Sequence, residues 1–274
     1  MNGKIKPLVW LLASTKKELE PITKLKSASI ARSFYDQYLW EITDSRRNVY
    51  LVATTGIGKA NAAFTVGALA EISEKPLFIM NVGIAGTYYS PPVLPGDVVI
   101  VTDCIMGDEG VWEKPDCFRS YEAIGIPPLN SDEASLEGKL SLQDSFIFRR
   151  LCNLLPPGSH SSEDLLGPDT FQDSGEQLSS YNKTFNIWYG SSCSVGMASG
   201  SPSIASLRRQ IYGAVIEEME ISAIALASFR MGIPFIALRG ISNIAGERDR
   251  TKWEIEKAIF NVCACAIKVF KEIG

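Results

Sequence analysis

The stretch 215–253, VIEEMEISAIALASFRMGIPFIALRGISNIAGERDRTKW, restricts the fold more than any other part of the chain. Its PFIALRG run is short and apolar, the pattern of a strand buried on both faces of a parallel sheet. Ahead of it, Glu220, Ala223, Ile224, Ala227 and Met231 recur at spacings that stack on one face of a helix, and Gly232 with Pro234 ends that helix. A helix feeding a buried strand is half of an α/β unit. Glu220 falls on the apolar face of this expected helix, where a carboxylate must be hydrogen-bonded, paired or protonated. A ligand satisfies that requirement, and so does a structural ion pair, for instance with Arg239. Arg239, Ser242 and Asn243 stand at the exit of the strand. Open α/β sheets bind ligands at the carboxyl ends of their strands, so the carboxylates and the polar cluster point to one pocket.

The rest of the chain repeats the alternation. Residues 6–13 read as a strand and 15–25 as a helix, with Ser14 or Thr15 as its cap and Glu18 in capping-box position three residues beyond Thr15. Residues 38–43 and 49–54 form a strand pair across the turn-like DSRRN. TTGIGKANAAFTVGALAEI runs from strand-end glycines into an alanine-rich helix. Residues 77–82 are the next strand, breaking at GIAG, and 97–101 follow the PPVLPG turn. Between 127 and 180 Ser, Asp, Glu, Gly and Pro dominate around one apolar-periodic helix at 146–155, which reads as a loop-rich insertion within a single domain spanning 1–274. Order resumes at Thr184 with FNIWYGSSCSVGM. The last helix begins at Thr251, where T-K-W-E repeats the capping-box pattern, and buries Ile255, Ile259, Val262, Ala266 and Phe270. Strands alternating with helices predict an α/β sandwich around one central sheet.

Composition removes several classes of function. A net charge of −4 offers no electrostatic footprint for nucleic acid or an anionic membrane. The six cysteines lack disulfide-framework or metal-ligand spacing, which fits free thiols in a cytoplasmic protein. A single histidine, His160, argues against a His-based triad or a multi-His metal site. LVWLLAS after Lys4 and Lys6 is short for a secretory signal and runs into KKELE, and no run reaches the ~18 apolar residues of a membrane span. Gly56-Ile-Gly58 fails as a dinucleotide fingerprint, since Asn61 takes the third glycine position and no acidic residue ends a strand about 20 residues on. These glycines read as a tight turn with close packing. Met80-Asn-Val-Gly-Ile-Ala-Gly86 either brings backbone N–H groups to a ligand or forms a plain turn. Arg248-Asp-Arg250 reads as a solvated charge run, with Trp253 as a core anchor.

Taken together, GIGKANAA (56–63), NVGIAG (81–86) with PGDVV (95–99), EEMEISAIA (217–225) and LRGISN (238–243) resemble the nucleoside phosphorylase and nucleosidase family, in the branch of methylthioadenosine/S-adenosylhomocysteine nucleosidase. The resemblance covers most of the chain outside 127–180. It implies a three-layer αβα fold around a central mixed, partly barrel-like sheet, a purine nucleoside as substrate, no metal or other cofactor, and a homodimer or larger oligomer. It also implies that Glu18 activates the attacking water, that Glu220 binds the ribose hydroxyls, and that Met219 packs beneath the sugar. Arg239 and Ser242 match residues lining the water and base sites, and Ile84, Ala85, Gly86 and Glu218 match others that border the substrate. Counting back from Glu218 without a gap places Met197 at the base-stacking position and Ala198 at a backbone contact to the purine. Ile84 stands where the nucleosidases often have serine. Asn243 stands where adenine-specific nucleosidases carry aspartate. An amide cannot be a general acid but can donate to oxygen 6 or nitrogen 7 of a 6-oxopurine, which favours hypoxanthine. GISNIAGERDRTKW resembles the corresponding run of futalosine hydrolases, which release hypoxanthine from futalosine in an alternative route to menaquinone. Futalosine carries a benzoate at its sugar end, with which Arg248 or Arg250 can pair. The other expectations within this family are methylthioadenosine cleavage and phosphorolysis, and outside enzymes a nucleoside-binding protein on the same fold. For phosphorolysis the early chain offers only Lys16 and Lys17.

Overall fold

The computed structural model of the chain describes residues 7–25, 32–44, 46–88, 92–114, 117–119, 121–125, 127–129, 138–166 and 184–273. In chain order its elements are β1 (Val9–Ala13), α1 (Lys16–Leu25), β2 (Arg32–Phe34), β3 (Gln37–Thr43), β4 (Val49–Thr54), α2 (Lys59–Ile72), β5 (Phe78–Thr87) and β6 (Val98–Met106). Then come β7 (Val111–Lys114), β8 (Cys117–Arg119), α3 (Tyr121–Ile124), β9 (Lys139–Ser141), α4 (Phe146–Leu154), β10 (Gly158–Ser161) and α5 (Ser162–Leu166). The chain closes with β11 (Thr184–Ser194), α6 (Pro202–Tyr212), β12 (Ile216–Glu218), α7 (Ile221–Met231), β13 (Phe235–Ile244), a 3-10 turn at Arg250–Lys252 and α8 (Ile255–Ile273).

The main sheet runs β10-β11-β6-β13-β5-β1-β4-β3-β2, and the three-residue β12 pairs with both β11 and β5. Strands β5, β13, β6, β11 and β12 therefore close a ring, and β1, β4, β3 and β2 fan out from β5 as an open sheet. Pairing is parallel between β1 and β4, β1 and β5, β5 and β13, and β6 and β11, but antiparallel between β6 and β13 and between β5 and β12. The sheet is thus mixed and partly barrel-like. Strand β1 is buried at all five residues, and only Ile244, the last residue of β13, is exposed along that strand, as expected of strands covered on both faces. Helices flank the sheet in two groups. Helix α8 packs on α1, α5 and β13, while α2 packs on α7.

Several sequence expectations need correction. Strand β5 does not break at GIAG. It continues to Thr87 because β13 pairs with it along its whole length, and ladder hydrogen bonds outweigh the breaking tendency of Gly83 and Gly86. The final helix does not begin at Thr251. Asp249 caps the short 3-10 turn by accepting from the Thr251 N–H, and α8 starts only at Ile255. Ile259, Val262, Ala266 and Phe270 are buried as expected, and Ile255 is half-buried. Within 127–180 the described residues add β9 to the edge of β6 and β10 to β11, together with α4 and α5. Residues 130–137 and 167–183 of that region, and the lysines at 4 and 6, lie outside the described residues. Among the described residues no helix is long and apolar enough to cross a membrane, and no group of His, Cys, Asp and Glu is arranged to hold a metal ion.

Gly240, in the middle of β13, lets α8 lie directly on the sheet, since a Cβ added there would overlap the carbonyl of Ala258. Backbone cannot yield as a side-chain tip can. Gly240→Ala is expected to destabilise the fold by about 3 kcal/mol, read as a lower denaturation midpoint in urea. An unchanged midpoint would show that α8 does not rest on β13 at this point.

Candidate active site

A cavity of about 640 Å³ opens beyond the carboxyl ends of β1, β5 and β13 and is bordered by β12. This is within the size range of small-molecule sites. Glu18, Ile84, Ala85, Gly86, Ala198, Glu218, Met219, Glu220, Ser242 and Asn243 all line it, so ten of the expected residues are brought together from five separate segments.

Glu18 reaches the cavity from the first turn of α1. The capping box forms as its sequence suggests. Oε2 accepts from the Thr15 N–H and the Thr15 hydroxyl, each at 2.8 Å, and the Glu18 N–H meets Thr15 Oγ1 at 3.4 Å. Oε1 accepts from the Ile84 N–H at 3.0 Å. The carboxylate that caps the helix is therefore also the one presented to the cavity. Ile84, whose side chain offers no hydrogen bond, contributes through its backbone.

Glu220 is not on a helix face. It is the residue before α7, and its carboxylate turns back so that Oε1 accepts from the Gly58 N–H at 2.8 Å. Periodicity could not reveal this, because the helix begins one residue after the carboxylate that seemed to belong to it. Oε2 of Glu220 has no protein partner among the described residues. Burial, then the negative charge of Glu218, pushes the Glu220 carboxyl up to about 7, against opposing contributions from Arg239 and the Gly58 N–H.

Glu218 caps α7 in its place. Its Oε2 accepts from the Glu220 and Ile221 N–H groups, both at 2.7 Å, and its Oε1 accepts from the Ser194 hydroxyl. Ser194 Oγ in turn accepts from the Ser222 N–H at 2.9 Å. Arg239, only 1% exposed, lies behind the cavity wall rather than in it. Its Nη2 donates to Asn81 Oδ1 at 2.6 Å and to Glu218 Oε2 at 3.4 Å, and its buried Nε has no protein partner among the described residues. Glu218 borders the cavity, but both of its oxygens are already engaged.

Asn243 follows an irregularity in β13. Register with β5 passes from Ile241–Ala85 to Asn243–Gly86, leaving Ser242 unpaired as in a bulge. Bulges re-aim side chains near sites. The Ser242 hydroxyl lies 2.7 Å from Asn243 Oδ1, and Asn243 Nδ2 donates to the Ile244 carbonyl at 2.8 Å. The second Nδ2 hydrogen remains available to a ligand.

Met197 is the other expected residue that does not line the cavity, and it is 74% exposed. The Gly196 N–H is tied to Asp108 and Ser199 is tied to Glu217, so the loop turns Ala198 and Ser199 inward and leaves Met197 outside. A gapless count along the chain cannot register such a turn. Sequence reading also missed Glu217, Ser199, Tyr88 and Arg208, which form a buried cluster at one end of the cavity. Adjacent glutamates at 217 and 218 were visible, but a helical reading concealed the alternation that sends them to different partners. Trp253 is a half-buried cavity wall rather than a core anchor, with Arg248 over its ring at 5.4 Å.

Residues 9–273 match the family described as Phosphorylase superfamily. The chain belongs to this superfamily. Among its members, the futalosine hydrolase of Thermus thermophilus is 27% identical over 272 residues, covering 97% of each chain. The 5'-methylthioadenosine/S-adenosylhomocysteine nucleosidase of Bacillus subtilis is 24% identical over 225 residues, covering 81% of each. The structure of futalosine hydrolase from Helicobacter pylori superposes with a TM-score of 0.70 at 16% identity, covering 98% of both chains. The Neisseria meningitidis nucleosidase in complex with methylthio-immucillin-A gives 0.70 at 20% identity, covering 96% of this chain and 98% of the other. The superfamily fold thus extends over the whole cavity just described.

The Glu220 carboxyl gives a pH signature. Its folded value of about 7 lies above the ordinary 4.5, so between these values the folded protein holds a proton that the unfolded chain has released. This contribution to stability is complete below about pH 4.5 and is lost as pH rises through 7. Glu220→Gln is therefore expected to gain stability relative to the parent as pH rises across that window, measured by urea unfolding at a series of pH values. A difference independent of pH would contradict the assignment.

Proposed function

We propose that the chain is a purine nucleosidase that hydrolyses the N-glycosidic bond of a hypoxanthine nucleoside, with futalosine as the preferred substrate. The observation that carries this reading is the pairing of two buried carboxylates from distant parts of the chain across one cavity, Glu220 fixed by the Gly58 N–H and Glu18 by the Ile84 and Thr15 N–H groups. Glu18 takes a proton from water as the water oxygen attacks the anomeric carbon and the C–N bond breaks, its electron pair leaving on the purine, which takes up a proton from solvent. Arg239 Nε, beside the Glu18 site, is a donor able to orient that water. The free Oε2 of Glu220 accepts from the ribose hydroxyls, an interaction that strengthens as positive charge develops on the sugar. Three carboxylates around one guanidinium give the floor a net negative field suited to an oxocarbenium-like transition state. The neutral amide of Asn243 donates to oxygen 6 or nitrogen 7 of the leaving base.

The same field disfavours phosphate. Lys16 lies over the Tyr38 ring at 5.0 Å and Lys17 is paired with Glu256 at 2.5 Å, so neither is held as a fixed phosphate clamp. At the outer end, Arg248 and Arg250 line the cavity with Trp253, which supports recognition of an anionic aromatic substituent such as the benzoate of futalosine. We also propose a cytoplasmic, single-domain enzyme acting as a homodimer. The exposed Tyr35 and Phe64 rings pack edge to face and, with exposed Ile57 near the cavity mouth, offer an apolar surface to a second copy. Sedimentation of a 30.0 kDa species alone would overturn the dimer.

The deciding experiment is chromatographic detection of free base after incubation with futalosine, methylthioadenosine and inosine, with and without phosphate. Hypoxanthine from futalosine at a rate indifferent to phosphate is the expected result, with Glu18→Gln slower by about 10²–10⁴. Release that depends on phosphate would make the protein a phosphorylase, and no release from any nucleoside would favour a binding protein. Asn243→Asp supplies a general acid for adenine and is expected to shift the kcat/KM ratio toward methylthioadenosine by about tenfold or more. An unshifted ratio would remove Asn243 from substrate selection.

A further inference from the structure

The cluster around Glu217 has no part in the chemistry above, yet it joins four elements at the base end of the cavity. Glu217 Oε1 accepts from the Ser199 N–H at 2.6 Å, and Oε2 accepts from the Ser199 hydroxyl at 2.6 Å, from Tyr88 Oη at 2.8 Å and from Arg208 Nη1 at 3.0 Å. Glu217 belongs to β12, Tyr88 follows β5, Ser199 lies in the loop after β11, and Arg208 is on α6. Glu217, Tyr88 and Ser199 are each more than nine-tenths buried.

We propose that Glu217, held by Arg208 and Tyr88, is a positioning residue that sets the shape of the base-binding wall. The inference rests on the nucleosidase reading. Two of its four bonds go to one serine, to both backbone and hydroxyl, which fixes the conformation of the loop rather than merely compensating a charge. That loop carries Ala198 and Ser199 into the cavity. Its other flank meets the end of β13, where a Cβ added to Gly246 would come within 2.5 Å of the Ser201 carbonyl carbon. Gly246 is three residues beyond Asn243, so the wall with the base-directed amide and the loop opposite Glu217 are in backbone contact. Neighbouring residues of β12 thereby divide the cavity. Glu218 holds the helix start behind Glu220 at the sugar end, and Glu217 holds the loop at the base end.

A group that shapes the binding site before the reaction begins affects ground state and transition state alike, so its loss raises KM while kcat changes little. The test measures kcat, KM and melting temperature for the full chain and for Glu217→Gln, Arg208→Met, their double variant and Ser199→Ala, on the nucleoside that the parent cleaves fastest. Glu217→Gln is expected to raise KM about tenfold with kcat within about threefold. The double variant, which removes the ion pair as a unit, is expected to recover melting temperature without recovering KM. Recovery of KM along with stability would reduce the cluster to a structural ion pair and overturn the proposal, as would an unchanged KM in folded Glu217→Gln. Should Glu217→Gln fail to fold, Ser199→Ala leaves the ion pair intact and decides the matter: about a threefold rise in KM at unchanged melting temperature supports the proposal, and an unchanged KM overturns it. A parent that releases no base from any nucleoside would sink the nucleosidase reading instead. Calorimetric binding of hypoxanthine to parent and variants would then still report on the wall, with weaker binding by Glu217→Gln expected and equal binding overturning it.

Discussion

The site hangs on the buried contact between Glu218 and Arg239. Neither group is exposed, and at 3.4 Å their pairing alone would not offset the cost of taking both from water. What makes the arrangement tenable is the number of further donors and acceptors. Two helix N–H groups and a serine hydroxyl meet the carboxylate, while Asn81 and the Leu238 carbonyl meet the guanidinium. Removing one partner from such a pair leaves an uncompensated charge, at a cost of about 3–5 kcal/mol. The contact links β12, β11, β5, β13 and the start of α7, which are the elements that close the barrel and border the cavity. Closure of the barrel and placement of Glu220 are therefore one structural event, because Glu220 is the residue whose N–H Glu218 holds.

This dependence explains a division of labour among the acidic groups. Glu218 is saturated by protein donors and works through the backbone that it positions. Glu220 is held at one oxygen by the Gly58 N–H, while Glu18 is held at one oxygen by the Ile84 N–H and at the other by Thr15, so backbone donors set the direction of both carboxylates. Backbone donors suit this role because they lack side-chain freedom, and preorganised groups need no rearrangement when charge develops. The GIG and NVGIAG segments thus serve the site through the amides of Gly58 and Ile84, where inspection of side chains alone shows only glycines and an isoleucine.

Much of this was legible in the sequence, and the exceptions share a cause. Helix and strand types, the capping role of Glu18, and the convergence of Glu220 and Asn243 follow from local patterns, while the placing of Glu18 beside them came from the family resemblance. What failed were boundaries decided by long-range contacts. Periodicity puts Glu220 on a helix face, because it cannot see that Glu218, an unusual capping residue, starts the helix after it. The local pattern ends β5 at its glycines, because nothing local shows that β13 runs alongside them. The T-K-W-E pattern was sound capping chemistry at a place where Asp249 already supplied a cap and the chain needed several more residues to turn onto the sheet. Met197 was misplaced for a related reason: counting assumes a fixed path, and the loop's path is set by Asp108 and Glu217, which lie 89 and 20 residues away in the chain.

On the proposed reading, the neutral amide of Asn243 suits the same electrostatics. The cavity floor already concentrates Glu18, Glu218 and Glu220 around one guanidinium, and burial together with Glu218 has pushed the Glu220 carboxyl up to about 7. A further ionised carboxylate in the wall would raise it again and favour a protonated Glu220, weakening the acceptor needed for a sugar becoming cationic. An aspartate at 243 is compatible with such a floor when it carries its own proton, which is the form able to protonate a leaving base. The amide meets the same constraint without titrating, provided that the base can leave with hydrogen-bond donation alone. Hydrogen bonding to an oxygen at position 6 meets that need better than an amino group there, which is itself a donor. On the proposed nucleosidase reading, charge balance at the sugar end and base preference at the other end are thus two consequences of a single residue choice.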